Sequence, residues 1–280
     1  MRNFSTICKR NLKQILLPLG YRNRKSAFFK LEDDIFIIVC IKGEFSEKNS
    51  MISAYIEPFP YCCGGVSYED IDFSGLVCDT LSLVLQRILP EKFAVEDYYR
   101  LIGATSEEGT LKNLDFVIKA LEDYALPYIH KFTDLEFYYK EYPILIPSPT
   151  GNPFAVSQEL FGLSIKLRKY ENAAFYVDRW ISIFDSELEL AETELKKLRN
   201  GELDETLLLY QKYHPKKFPK TLELHISAAE MAIPKYRKDK AEWQTIKDAL
   251  LENDHGFLGN YIKQIEDRNR KLLHEMLADK

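Results

Sequence analysis

Apolar positions change their period along this chain. Over residues 4–18 they recur at helical spacing, with Ile7, Leu12, Ile15 and Leu16 near one face. Ser5 stands where it caps the start, and Pro18-Leu19-Gly20 stops the helix. From residue 26 the period shortens. The stretch SAFFKLEDDIFIIVCIKGEF predicts a hairpin: a strand near 26–32, a turn at Asp33-Asp34 and a strand near 35–42. MISAYIEPF supplies a third strand near 51–57 after the polar loop SEKNS. These three form an antiparallel meander. An isolated hairpin is marginal in water, so the meander needs a covering layer. The N-terminal helix is the nearest candidate.

Beyond Gly65 the spacing is helical. FSGLVCDTLSLVLQRIL carries Leu76, Val77, Leu81, Val84 and Ile88 and ends before Pro90. A second helix starts near Leu111, aligns Leu114, Val117, Ile118 and Leu121, and is broken at Pro127. A short helix follows, with Thr133 as its cap, and then a proline-rich connector over 142–154. Ser157 to Tyr170 and Glu171 to Asn200-Gly201 predict an αα-hairpin, the second arm closing on a C-cap glycine. This hairpin is similar to one tetratricopeptide-type unit. No second copy recurs at fixed spacing, so a solenoid is not indicated. The tail is helical again, with basic stretches YHPKKFPK (213–220) and PKYRKDK (234–240). Its last helix aligns Leu258, Tyr261, Ile262, Ile265, Leu272, Leu273 and Met276, a stripe suited to core packing or, second, to a homodimer contact. The fold class is therefore α+β: a small antiparallel β-meander (about 26–57) packed by helices (about 66–200), followed by a mostly α-helical C-terminal part. Residues 1–200 form the α+β domain and 201–280 the helical extension.

Charge alters this picture in one place. The net charge of −5 is uneven: residues 1–50 carry +5, residues 51–150 carry −9, and the rest −1. An acidic chain releases few counterions from nucleic acid, so nucleic-acid binding is not favoured. The acidic middle suggests a face for a basic protein partner, with Glu69, Asp70, Asp72, Glu96 and Asp97 as its candidate residues. The longest apolar run, Ile35 to Ile41, is far shorter than the ~20 residues of a membrane span, and Lys9, Arg10 and Lys13 interrupt any signal-peptide core. A cytoplasmic location and no membrane partner are expected.

The five cysteines are residues 8, 40, 62, 63 and 78, an odd number that points to reduced thiols. Cys62 and Cys63 lie in PFPYCCGG. Adjacent side chains of an extended segment point to opposite faces, and zinc or redox pairs are normally spaced by two or more residues. Pro58, Pro60, Gly64 and Gly65 instead predict that a strand ends and the chain turns. No metal and no cofactor are expected.

Residues 12–43 carry a likeness: Leu16, Leu19, Gly20 and Tyr21 close a helix, Arg22, Arg24 and Lys25 follow, and Phe28 and Phe29 open an aromatic strand. This resembles the opening of an uncharacterised bacterial domain-of-unknown-function family in which a helix, a Leu-Gly-Tyr/Phe turn and a β-meander precede helices. LEDYALPYIHKF in the helical part also looks similar, and the likeness covers residues 5–200. It implies no activity. Some relatives look associated with toxin–immunity or defence systems.

No motif assigns a reaction. Gly103 and Gly109 flank acidic residues rather than a phosphate loop, and no Gly-x-Ser-x-Gly or His-Glu-x-x-His occurs. A nuclease with carboxylates at strand centres is opposed by Phe36, Ile37, Ile38 and Val39 at those centres. Catalytic residues are unassigned. Arg22, Arg24 and Lys25 beside Phe28 and Phe29 are candidates for an anion or nucleic-acid contact, since bases stack on exposed aromatics. The expected function is a non-enzymatic, cytoplasmic protein-interaction module of the immunity or defence type. The alternatives are an enzyme acting on nucleic acid or a phosphorylated substrate through a site assembled from distant residues, and an accessory nucleic-acid-binding module using the two basic stretches.

Overall fold

The computed structural model describes residues 4–45, 50–63, 80–89, 106–145 and 154–278. The fold is α+β: a four-stranded antiparallel sheet packed with helices, followed by a helical C-terminal part. By compactness the chain forms a sheet unit, Met1–Arg168 with Asn260–Lys280, and a helical unit, Lys169–Gly259.

In the sheet unit, helix α1 (Phe4–Leu16) buries Phe4, Cys8, Leu12 and Leu16. Ser5 lies inside this helix rather than at its cap. The helix closes at Gly20, whose φ of 86° admits glycine and opposes other residues. Strands β1 (Arg22–Arg24), β2 (Ala27–Leu31), β3 (Ile35–Phe45) and β4 (Ser50–Pro60) follow in the order β1-β2-β3-β4. The first strand was hidden in the sequence because Arg-Asn-Arg has neither alternation nor branched side chains. It pairs Arg22 with Phe29 and Arg24 with Ala27 around a two-residue turn, and Lys25 enters that turn at φ 50°.

Both faces of the sheet are covered. Ala27, Phe29, Phe36, Ile38 and Cys40 share one face and meet Tyr61 and Leu273. Phe28, Ile35, Ile37, Val39 and Ile41 on the other are equally buried. That double burial is why β3 reads as a continuous apolar run rather than an alternation. The cover of the first face is α10 (His255–Ala278), whose residues from 260 onward belong to this unit; Leu272, Met276 and Leu277 pack beside Leu273. The Leu272, Leu273 and Met276 part of its apolar stripe is thus used within the chain.

Strand β4 runs through Pro58 and Pro60 instead of ending before them. Tyr61 donates its N–H to the Asp34 carbonyl across β3, at 2.9 Å. Odd-numbered residues of β4 therefore face β3, while Pro58 and Pro60 turn their missing N–H outward on an edge strand, where proline costs no ladder bond. The outward Pro58 carbonyl accepts from the Tyr138 hydroxyl at 3.2 Å.

The remaining described helices of this unit are α2 (Thr80–Ile88), α3 (Glu107–Ala120), α4 (Leu126–Ile129), α5 (Leu135–Leu145) and α6 (Phe154–Lys166). Pro127 does not break the helix. A π turn over Leu121–Ala125, with the Leu126 N–H reaching the Leu121 carbonyl, widens the coil ahead of it. Asp134, not Thr133, caps α5, its carboxylate accepting from the N–H groups of Glu136 and Phe137 at 2.9 and 3.3 Å. The predicted connector over 142–154 is helical to Leu145 and again from Phe154.

The helical unit contains α7 (Tyr170–Arg199), α8 (Glu205–Tyr213), α9 (Phe218–Leu251) and the first turn of α10. Within it α7 packs along α9. On α7, Ala173, Val177, Trp180, Ala191 and Leu198 are buried, at spacings that keep one seam facing a partner helix. Trp180 stacks on Trp243 with centroids 5.7 Å apart. One ion pair per heptad flanks the seam: Asp178–Lys247, Asp185–Lys240, Glu192–Arg237 and Arg199–Glu230, at 2.5–2.7 Å. Helix α7 ends as expected at Asn200-Gly201, with Gly201 at φ 75°. The first basic stretch, 213–220, runs from the end of α8 through the turn 214–217 into the start of α9, as the expected connector, and the second, 234–240, lies inside α9. Pro219 lies in its first turn, and Pro234 sits in its interior.

Candidate functional site

The five acidic residues predicted to meet a partner, Glu69, Asp70, Asp72, Glu96 and Asp97, lie outside the described residues, as does Cys78. The basic stretch is described. Arg22 is exposed on β1 and Lys25 is exposed at the turn. Arg24 is half-buried and donates to the Met276 carbonyl, so its guanidinium helps hold the final helix to the sheet. Phe28 and Phe29 are both buried, and this strand presents neither ring to a base.

The segment after β4 is a turn packed into the core. Tyr61, Cys62 and Cys63 are all buried. Cys63 donates its N–H to the Pro60 carbonyl at 3.2 Å. Asn269 of α10 is 1% exposed, and its amide donates to the carbonyls of Tyr61 and Cys63 at 2.9 and 2.6 Å. A buried carbonyl without a donor is costly, so Asn269 explains how this turn survives inside the protein. Gly162 of α6 fits the same place: a Cβ there would stand 2.3 Å from the Cys62 carbonyl oxygen. The four described cysteines are buried and stand outside any disulfide. Burial pushes the Cys8 thiol up to about 12, with Cys40 adding to the effect, so it stays protonated at neutral pH.

Charged groups gather beside this turn. Lys166 at the end of α6 lies 2.5 Å from both Asp34 and Glu266. Burial pulls its pKa down, but hydrogen bonds to the two carboxylates outweigh that and raise it. Arg270 stands over the Tyr61 ring, 3.9 Å from its centroid, and donates to the Asp33 carbonyl. Asp33-Asp34 is a turn, as expected; the Asp34 carboxylate ties it to α6 through Lys166, and the Asp33 carbonyl ties it to α10 through Arg270. This cluster secures α10 and α6 to one end of the sheet.

Two other titratable groups are inside. The Tyr21 hydroxyl lies 3.2 Å from Nε2 of His130. Burial raises the Tyr21 pKa, and Glu32 adds to it; burial lowers that of His130, with Lys30 helping and Glu32 opposing. Both groups are thus held neutral, and their bond joins the end of α1 to the helical layer. Glu57 on β4 is 7% exposed, and burial alone pushes its carboxyl up to about 7. Sequence reasoning missed Glu57. The only available signal was a carboxylate on an otherwise apolar strand.

The helical unit differs in its surface. Twelve large hydrophobic residues are exposed among the described residues, and nine of them lie between Lys169 and Gly259. On α9, Ala229 and Ile233 are buried, while Leu224 and Met231 on the opposite side are 62% and 69% exposed. On α8, Leu207 is buried with Leu198 and Phe218, whereas Leu208, Leu209 and Tyr213 face outward. No described helix is long and apolar enough to cross a membrane.

Comparison of the chain with family models, with curated proteins and with solved structures finds no match in any of the three.

Proposed function

We propose that this chain is a non-enzymatic, cytoplasmic protein-interaction module whose docking surface lies on the helical unit. The observation that carries this reading is the concentration of exposed apolar side chains there, nine of twelve in the smaller unit. Exposed large apolar groups gain free energy when a second macromolecule covers them. The absence of a disulfide among the described cysteines fits a reducing compartment. The immunity or defence association implied by the resemblance of residues 12–43 defines the partner class to test first.

The test is gentle purification of the full chain from its native host, followed by intact-complex mass determination and cross-link mapping. The expected result is a stoichiometric heteromer cross-linked through Lys169–Gly259. A bare monomer, or cross-links confined to the sheet unit, overturns the reading. Reversal of Glu69, Asp70 and Asp72 to lysine discriminates further: the complex survives if the helical unit docks the partner and weakens if the acidic middle does.

A further inference from the structure

The exposed face of α9 has an ordered composition. At 100° per residue, Lys220, Leu224, Ala228, Met231, Lys235 and Lys238 fall on one line along the helix, opposite the buried Ala229 and Ile233. All six are exposed. The apolar members stand at i, i+4 and i+7, the spacing at which two helices interlock. Lysines bracket them on both sides, and among the described residues Lys220, Lys235 and Lys238 form no ion pair. The neighbouring charges differ: Arg237 and Lys240 are engaged by Glu192 and Asp185 of α7. Glu223 stands about a quarter-turn off the line, and Glu242 ends it one turn beyond Lys238. The two basic stretches that looked like separate patches in the sequence therefore flank one apolar strip.

Resting on the interaction reading above, we propose that this strip docks an amphipathic helix of a partner protein, with a two-turn apolar seam and carboxylates at both ends. Charge complementarity selects this occupant. The apolar residues supply contact area, and the lysines favour a partner acidic at each end. A nucleic acid would use the lysines and leave Leu224 and Met231 without a role. A second copy of α9 would set lysine against lysine at both ends of an antiparallel pair.

The probe is a synthetic amphipathic helix of about 18 residues, roughly the 27 Å between Lys220 and Lys238. It carries leucines at i, i+4 and i+7 and glutamates at both ends. Binding to the full chain is read by fluorescence anisotropy. A control peptide replaces the glutamates by lysine, and an oligonucleotide of similar length is titrated in parallel. The glutamate peptide is expected to bind at least about tenfold more tightly than the lysine peptide. The double variant Lys235→Glu, Lys238→Glu should reverse that preference, a readout that misfolding does not produce. Leu224→Ser with Met231→Ser should weaken both peptides, with an unchanged circular dichroism spectrum as the control. Equal affinity for the two peptides, preference for the oligonucleotide, or self-association abolished by the serine variant each overturns the proposal. If the host complex cross-links through the helical unit but the serine variant retains it, the interaction reading stands and the α9 strip is excluded.

Discussion

The sheet unit and the helical unit use their apolar side chains in opposite ways. In the first, both faces of a four-stranded sheet are buried, and the described exposed large hydrophobics are Leu17, Leu19 and Tyr124. In the second, α9 has an apolar line on its buried side and another on its exposed side. A helix that needs only one partner carries one apolar stripe. The buried stripe makes a contact inside the chain, and the exposed one is the surface proposed above to dock a partner helix. The units also differ in how far apart their contacts lie in sequence. The sheet is tied to a helix across 208 residues by the Asn269–Tyr61 bond, whereas the hairpin is closed by pairs such as Arg199–Glu230, 31 residues apart.

That contrast predicts a hierarchy of effects. The largest belongs to Phe36, 1% exposed and stacked on Phe59 at 5.3 Å. Phe36→Ala should cost about 3–5 kcal/mol, read as lost amide protection across the strands. Both tryptophans, Trp180 and Trp243, lie in the helical unit, so tryptophan fluorescence during urea unfolding reports that unit separately. If loss of the sheet leaves this signal's midpoint unchanged, the units are energetically distinct; a parallel shift breaks the comparison.

Glu57 comes next. Burial raises its folded pKa from 4.5 to about 7, so the folded state keeps a proton that the unfolded chain has released. Its stabilising contribution is complete below pH 4.5 and is lost as pH rises through about 7. The loss amounts to about 3 kcal/mol. Glu57→Gln should flatten that part of the stability–pH curve; a curve unchanged by the substitution contradicts the assignment. Asn269→Ala should cost about 2 kcal/mol by removing the buried amide that donates to both the Tyr61 and Cys63 carbonyls. Denaturant titration at neutral pH measures it, and a cost near zero would show that the turn has another donor. The smallest effect is expected in the helical unit. The Asp185–Lys240 pair is exposed, and Asp185→Asn should change stability by less than about 1 kcal/mol, an effect erased by high salt.

Much of the sheet was legible because its signals are local. Alternation, the Asp33-Asp34 turn and Gly20 each act over a few residues. Strand β1 was not, since its place depends on pairing with β2 rather than on its own side chains. The extension of β4 through Pro58 and Pro60 was not either, because a proline's tolerance depends on which edge of a sheet it faces. The predicted hairpin of 157–200 spans the boundary between the two units at Arg168/Lys169. The partner of α7 in the helical unit is α9, and the clue lay in Asp178, Asp185, Glu192 and Arg199, charges at seven-residue intervals that imply a long antiparallel companion. On the site, the basic stretches were visible as composition. Their alignment about Leu224 and Met231 became apparent only once one continuous helix set their phase.

The Asn269 bond to Tyr61 also carries a cost in time. A ribosome adds about 5–20 residues per second, so roughly 10–40 s separate the synthesis of the two ends of that 208-residue interval. Throughout that interval Phe29, Phe36 and Ile38 have emerged while Leu273 does not yet exist. The nascent chain must therefore wait with one sheet face uncovered.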